Sequence, residues 1–235
     1  MLEVNKINSF YDKSHVLHDV SLEVHEAEIV GLLGRNGVGK STTLKSIMGI
    51  VRPKDGSIKF SGKETVGLKP YQMAKLGVGY VPEDRRIFPT LTVRQNLLLG
   101  MKSGQTQKTE SSWTIEKVYD FFPELRHRDS FKGGNLSGGE QQMLTIGRTL
   151  MGDPSLVLID EPTEGLAPQV VETVVNVIEE IHRSGASVLL VEQSMDVVMD
   201  LADSVMIMNK GEIVYKGTPD DLQASPHIIE TYLEV

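Results

Sequence analysis

Gly34-Arg35-Asn36-Gly37-Val38-Gly39-Lys40-Ser41 fits the pattern G-x-x-x-x-G-K-[ST] without a mismatch, and the apolar run Ile29-Val30-Gly31-Leu32-Leu33 before it reads as a buried strand. A helix is expected to start near Lys40 and to run from Thr42 to Met48, with Gly49 to end it and Pro53 beyond. Strand, glycine loop and helix in that order make a phosphate cradle. The glycines permit positive φ and let backbone N–H groups approach a polyphosphate at the positive end of the helix dipole. Lys40 is placed to neutralise β- and γ-phosphates, and the Ser41 hydroxyl to ligate Mg²⁺. The run Gly34, Arg35, Asn36, Gly37, Val38, Gly39, Lys40, Ser41 and Thr42 is therefore the expected ATP-binding loop. A glycine-rich turn matching by chance is the alternative, and the flanking strand and helix argue against it.

The chain has 235 residues, enough for one large domain with a core and an inserted subdomain. Acidic residues outnumber basic ones, 32 to 24, for a net charge of −8, so no nucleic-acid partner is expected. Cysteine is absent, which excludes disulfides and thiolate metal sites and fits a reducing cytoplasm. The start Met1-Leu2-Glu3-Val4-Asn5-Lys6 lacks the apolar core of a signal peptide, and no run approaches the roughly 20 apolar residues needed to span a bilayer. Any membrane role is expected to be peripheral.

Leu2 to Ile7 and Val20 to Val24 alternate apolar and polar residues, as half-buried antiparallel strands do. Gly56 to Lys63 reads as a strand closed by a turn, and Gly79-Tyr80-Val81 as another strand before Pro82. From there to about Asn135 the pattern is helical, with polar connections such as Ser103 to Ser112. Strands at Leu156–Ile159, Ser187–Val191 and Ser204–Met208 then alternate with a helix from Gln169 to His182, ended by Gly185. Helices between strands imply right-handed crossovers and a mainly parallel sheet, with ligands at the strands' carboxyl ends. The expected fold is α/β: a P-loop NTPase core with an N-terminal antiparallel β subdomain (about 1–83 and 155–235 together) and an inserted helical subdomain at about 84–154.

Two further stretches carry chemistry. Leu156-Val157-Leu158-Ile159 runs into Asp160-Glu161-Pro162 and sets two carboxylates at a buried strand's end. Asp160 suits Mg²⁺, directly or through water, and Glu161 suits polarising the water that attacks a γ-phosphate. An ordinary acidic turn is the alternative. Leu136-Ser137-Gly138-Gly139-Glu140 opens a helix as a capping box, a role needing no nucleotide; its exposed backbone donors also make a second anion site, about a hundred residues from the first.

Together, Gly34–Ser41, Leu136–Glu140 and Leu156–Glu161 resemble the nucleotide-binding subunits of ATP-binding cassette transporters over essentially the whole chain. In that family two such domains pair head to tail. The resemblance thus implies that Ser137, Gly138 and Gly139 face the ATP held by a second ATPase subunit. It also implies that Tyr11 stacks on adenine, although a half-exposed strand tyrosine needs no base. Three positions depart from the family pattern: Glu83 stands where a glutamine that contacts Mg²⁺ and water is usual, Gln193 replaces the switch histidine, and Ala167 takes the place of a common aspartate. Glutamine donates to a γ-phosphate oxygen but carries no charge. Glu83 is expected as a metal contact, and Glu83 and Gln193 join Glu161 as expected catalytic residues.

Val81 to Pro89, Glu164 to Pro168 and Val191-Glu192-Gln193 resemble the LivF type, one of two ATPase subunits of bacterial branched-chain amino acid importers. The expectations that follow are an ATPase, peripheral on the inner face of the cell membrane, in an asymmetric heterodimer whose other subunit performs most of the hydrolysis. Two membrane-embedded permease subunits would meet it through Glu83–Pro89, and a substrate-binding protein would act indirectly. Arg85, Arg86 and Phe88 lie in that segment, where two arginines also suit a plain solvated face. Urea or amide importers, lipid or lipopolysaccharide exporters and soluble ATPases acting on DNA or ribosomes stay open as alternatives.

Overall fold

The computed structural model describes residues 1–101 and 113–233. The Ser103–Ser112 connection lies outside these. The first two strands, β1 (Leu2–Tyr11) and β2 (Ser14–Val24), form a hairpin and are longer than their alternating cores suggest. With β4 (Asp55–Phe60) and the two-residue β5 (Lys63–Glu64) they make an antiparallel sheet ordered β2-β1-β4-β5. Tyr11 is the last residue of β1 and sits at the hairpin end.

A six-stranded sheet carries the site. It contains β3 (Ile29–Leu33), β6 (Val78–Val81), β7 (Leu156–Asp160), β8 (Ser187–Glu192), β9 (Ser204–Asn209) and β10 (Glu212–Gly217), in the order β10-β9-β3-β8-β7-β6. All pairings are parallel except that of β9 with β10. Every residue of β3, β7 and β8 is buried, as unbroken apolar runs become when both faces of a parallel sheet are covered. One face packs Val30, Leu32, Leu158 and Leu189 against Leu2, Ile7, Leu17 and Leu22 of the antiparallel sheet. The opposite face packs Val157, Ile159, Val188 and Leu190 against two helices, α7 (Pro168–Arg183) and α8 (Met195–Leu201). In α7 the buried Val174, Val177, Ile178 and Ile181 repeat at the helical period. α8 crosses β3 so closely that a Cβ on Gly31 would lie 2.2 Å from Val198 Cγ1.

The glycine loop leads into α1 (Lys40–Ile47), which starts at Lys40 as expected and ends one residue before Met48. α2 (Pro70–Leu76) precedes β6, and α3 (Val93–Leu99), α4 (Ile115–Phe121), α5 (Pro123–His127) and α6 (Gly138–Leu150) fill the stretch up to β7. Their buried Val93, Leu97, Val118, Phe122 and Leu144 join the same core as α7. α9 (Pro219–Gln223) and α10 (Pro226–Tyr232) close the described chain. Among the described residues no helix is long and apolar enough to cross a membrane.

Candidate active site

At the carboxyl end of β3 the chain turns through Gly34, Gly37 and Gly39 with φ of 157°, 78° and 115°, and Gly39 caps α1 from the left-handed region. A side chain on Gly34 would strike the Met208 carbonyl, 2.5 Å from its Cβ position, so strand β9 walls the loop. Lys40 is buried, 3% exposed. Its Nζ donates to the carbonyls of Gly34 (2.7 Å) and Arg35 (3.0 Å) and pairs with Glu161 Oε1 at 3.0 Å. Ser41 Oγ donates to Asp160 Oδ1 (2.9 Å), and the Tyr80 hydroxyl donates to Asp160 Oδ2 (3.1 Å). Loop, hydroxyls and carboxylates from three separate segments thus converge at one sheet end.

A cavity of about 310 Å³ opens there, lined by Asn36, Gly37, Gly39, Lys40 to Thr42, Glu83, Glu161 and Glu164, with Val16 of β2 at one side. Asp160 is 1% exposed, and burial holds its carboxyl above the ordinary range although Ser41, Tyr80 and Lys45 pull the other way. Glu164 is also raised, first by burial and then by a hydrogen bond to and the charge of Glu161. Glu161 has φ 46°, a left-handed backbone uncommon for a residue with a side chain. Both its oxygens are engaged: Lys40 holds Oε1, and Gln193 Nε2 donates to Oε2 at 2.5 Å. Gln193 was expected to donate to a γ-phosphate; here its amide orients Glu161.

Glu192, buried at the end of β8, accepts from Thr163 N (3.1 Å), Thr163 Oγ1 (2.7 Å), Gln193 N (3.1 Å) and Ser194 N (3.4 Å). Burial raises its carboxyl against these donors. Glu192 therefore locks the loop after Pro162 to the turn that carries Gln193.

Ser137 caps α6: its Oγ accepts from Glu140 N (3.3 Å), and its own N–H reaches Glu140 Oε2 (2.7 Å). The Glu140 carboxyl is lowered because these bonds and Arg128 outweigh its burial. Ser137, Gly138 and Gly139 take no part in the cavity around Lys40, so the two glycine-bearing helix starts of this chain stay apart. Tyr11, 46% exposed, is likewise outside that lining, where Val16 stands.

Sequence reasoning missed Val16, Tyr80, Glu164 and Glu192. No local pattern marks them, since each reaches the site only by strand pairing or loop closure. The donor set suits a hard cation, because Ser41 and Asp160 offer oxygens side by side with Glu83 on the same cavity. Among the described residues no group of three or more His, Asp or Glu forms a cage, so phosphate and water oxygens would have to complete a Mg²⁺ shell.

A phosphate loop joined to a hydroxyl, two strand-end carboxylates and a parallel sheet defines a P-loop ATPase. The chain belongs to the ABC transporter family, whose profile matches residues 17–164. It is 42% identical over 233 residues to the high-affinity branched-chain amino acid transport ATP-binding protein BraG of Pseudomonas aeruginosa, covering 99% of both chains. Identity is 34% over 223 residues to the probable branched-chain amino acid transport ATP-binding protein LivF of Archaeoglobus fulgidus, with 94% of each covered. A solved ATP-binding subunit of an ABC transporter superimposes with a TM-score of 0.85 at 29% identity, over 97% of this chain and 94% of that one. The protein is accordingly an ATPase subunit of an ABC transporter, binding ATP.

Proposed function

We propose that the chain powers uptake of branched-chain amino acids as one of two unlike ATPase subunits on the inner face of the cell membrane. The observation that carries this reading is the 42% identity to BraG across the full length of both chains. Ser41 and Asp160, with Glu83 as a further oxygen donor, would hold Mg²⁺, whose charge would screen the phosphates. Lys40 and the N–H groups from Gly34 to Thr42 seat the β- and γ-phosphates. Tyr11 lies beside adenine. Glu161 takes the proton of the attacking water, and Gln193 keeps that carboxylate turned toward it. Ser137, Gly138 and Gly139 grip the ATP of the second cassette in a head-to-tail pair. The helical subdomain, about 84–154, carries them relative to the core.

An apolar groove of about 560 Å³ between α2, β6 and the end of α3 supports docking on permease subunits. Tyr71, Phe88 and Leu99 border it with roughly half of each side chain exposed, 58%, 50% and 55%. Arg148 adds a guanidinium whose Nη1 is buried without a hydrogen-bond partner among the described residues. An apolar helix bringing an acceptor would satisfy it. A substrate-binding protein delivers the amino acid outside. Purification from detergent-solubilised membranes tests the reading: a second ATPase and two permease subunits should co-purify, and a lone chain or a lipid-export assembly would refute it. In the reconstituted complex, Glu161→Gln here should slow turnover less than the equivalent change in the partner cassette, and the reverse order would refute the asymmetry.

A further inference from the structure

Between the groove and the phosphate cavity runs a single short segment, 82–88. Its groove side is clamped. Arg148 Nη2 donates to the Arg86 carbonyl and the guanidinium lies over the Phe88 ring, 5.2 Å from its centre. Fully buried Asn96 accepts from Phe88 N (2.8 Å) and donates to Phe88 O (3.0 Å). On the nucleotide side Glu83 lines the phosphate cavity. Arg85, between the two, points to neither. Its Nη2 donates to the Glu164 carbonyl (3.2 Å), on the loop that follows Glu161. Its Nη1 lies against Gly138, 2.5 Å from where a Cβ would stand, so the missing side chain at the start of α6 is what admits the guanidinium.

We propose that Arg85 is a positioning residue that couples the groove to the nucleotide sites. It clasps the first turn of α6 to the loop carrying Glu164, so that a helix pressing on Phe88 moves the Ser137–Gly139 end and the Glu161 loop together. Two features favour this over a plain solvated arginine. A cation at a helix N-terminus opposes the helix dipole, so its placement there is not a stabilising cap. The guanidinium also brings together three segments far apart in the chain, by a hydrogen bond to the Glu164 carbonyl and by packing on Gly138, and its flat plane fits against the bare helix start where an ammonium acts as a point charge. The proposal rests on the groove receiving the permease subunits.

The test uses the reconstituted transporter and measures ATP hydrolysis with and without transport substrate. Arg85→Ala should leave ATP binding by the isolated chain and the melting temperature unchanged, while the substrate-stimulated increase falls by about fivefold or more, the lower end of allosteric coupling. Arg85→Lys should restore only part of it. Full stimulation in Arg85→Ala overturns the clasp, as does an equal fall in basal and stimulated rates with a lowered melting temperature, which marks a structural role alone. Phe88→Asp serves as the control for the groove. If it leaves assembly and stimulation intact, the docking reading fails and the clasp with it; if it abolishes both while Arg85→Ala changes nothing, the clasp alone fails.

Discussion

Glu161→Gln should make the isolated chain bind ATP more tightly, because without nucleotide the lysine that must meet the phosphates is spoken for. Lys40 Nζ and Glu161 Oε1 stand 3.0 Å apart with side chains only 3% and 6% exposed. Unit charges at 4 Å attract by about 4 kcal/mol at an effective dielectric near 20. An incoming phosphate replaces this attraction and meets the Glu161 charge besides. If the amide returns only a third of that energy, about 1.4 kcal/mol, affinity rises about tenfold. Glutamine still accepts from Lys40 and still meets the Gln193 amide, so the fold is kept. The assay is equilibrium titration of the isolated chain with a fluorescent ATP analogue, with Lys40→Ala alongside. That variant loses a charge-assisted phosphate contact, about 1.5–3 kcal/mol, and strands a buried carboxylate. It should melt lower too, since breaking a buried pair costs about 3–5 kcal/mol. Equal or weaker binding by Glu161→Gln would refute the competition between pair and phosphate.

Asp160→Asn should raise the melting temperature while removing the metal-side carboxylate. The folded carboxyl titrates above its unfolded value near 3.9, so the folded state holds the proton more tightly and the parent loses stability as pH rises from about 4 through the folded pKa. The advantage of asparagine is therefore full above that window and gone below about pH 4; calorimetry across pH checks this, and an advantage that grows toward acid contradicts it. Each kcal/mol relieved should appear as about 2–4 °C. Ser137→Arg should leave ATP binding by the isolated chain intact and block ATP-dependent pairing with the second cassette, read by sedimentation. Lost binding in the isolated chain would contradict a site shared between subunits.

Much of the core was legible because its signals are local. Ile29–Leu33, Leu156–Ile159 and Val188–Val191 are apolar without interruption, the pattern of a strand covered on both faces. Ser137 and Glu140 sit three residues apart, so their capping box needed no tertiary context. The edges were harder. β10 mixes Glu212, Lys216 and half-buried residues, a pattern no periodicity separates from a loop, and α2 hides only Met73. The site's long-range partners were invisible: Lys40 meets Glu161 across 121 residues, and Arg85 reaches Glu164 across 79. Tyr11 is exposed at the hairpin end and outside the lining of the Lys40 cavity, and an aromatic ring at a strand end carries no record of what it borders.

The left-handed backbone at Glu161 also bears on stability. An ordinary side chain there costs about 1–2 kcal/mol that glycine does not. Glu161→Gly would relax the turn while deleting the carboxylate that competes for Lys40. The same change leaves the Lys40 ammonium buried without its carboxylate, a loss of about 3–5 kcal/mol that outweighs the relaxed turn, so such a chain would be frail when empty and regain its stability only when a phosphate takes the place of the carboxylate.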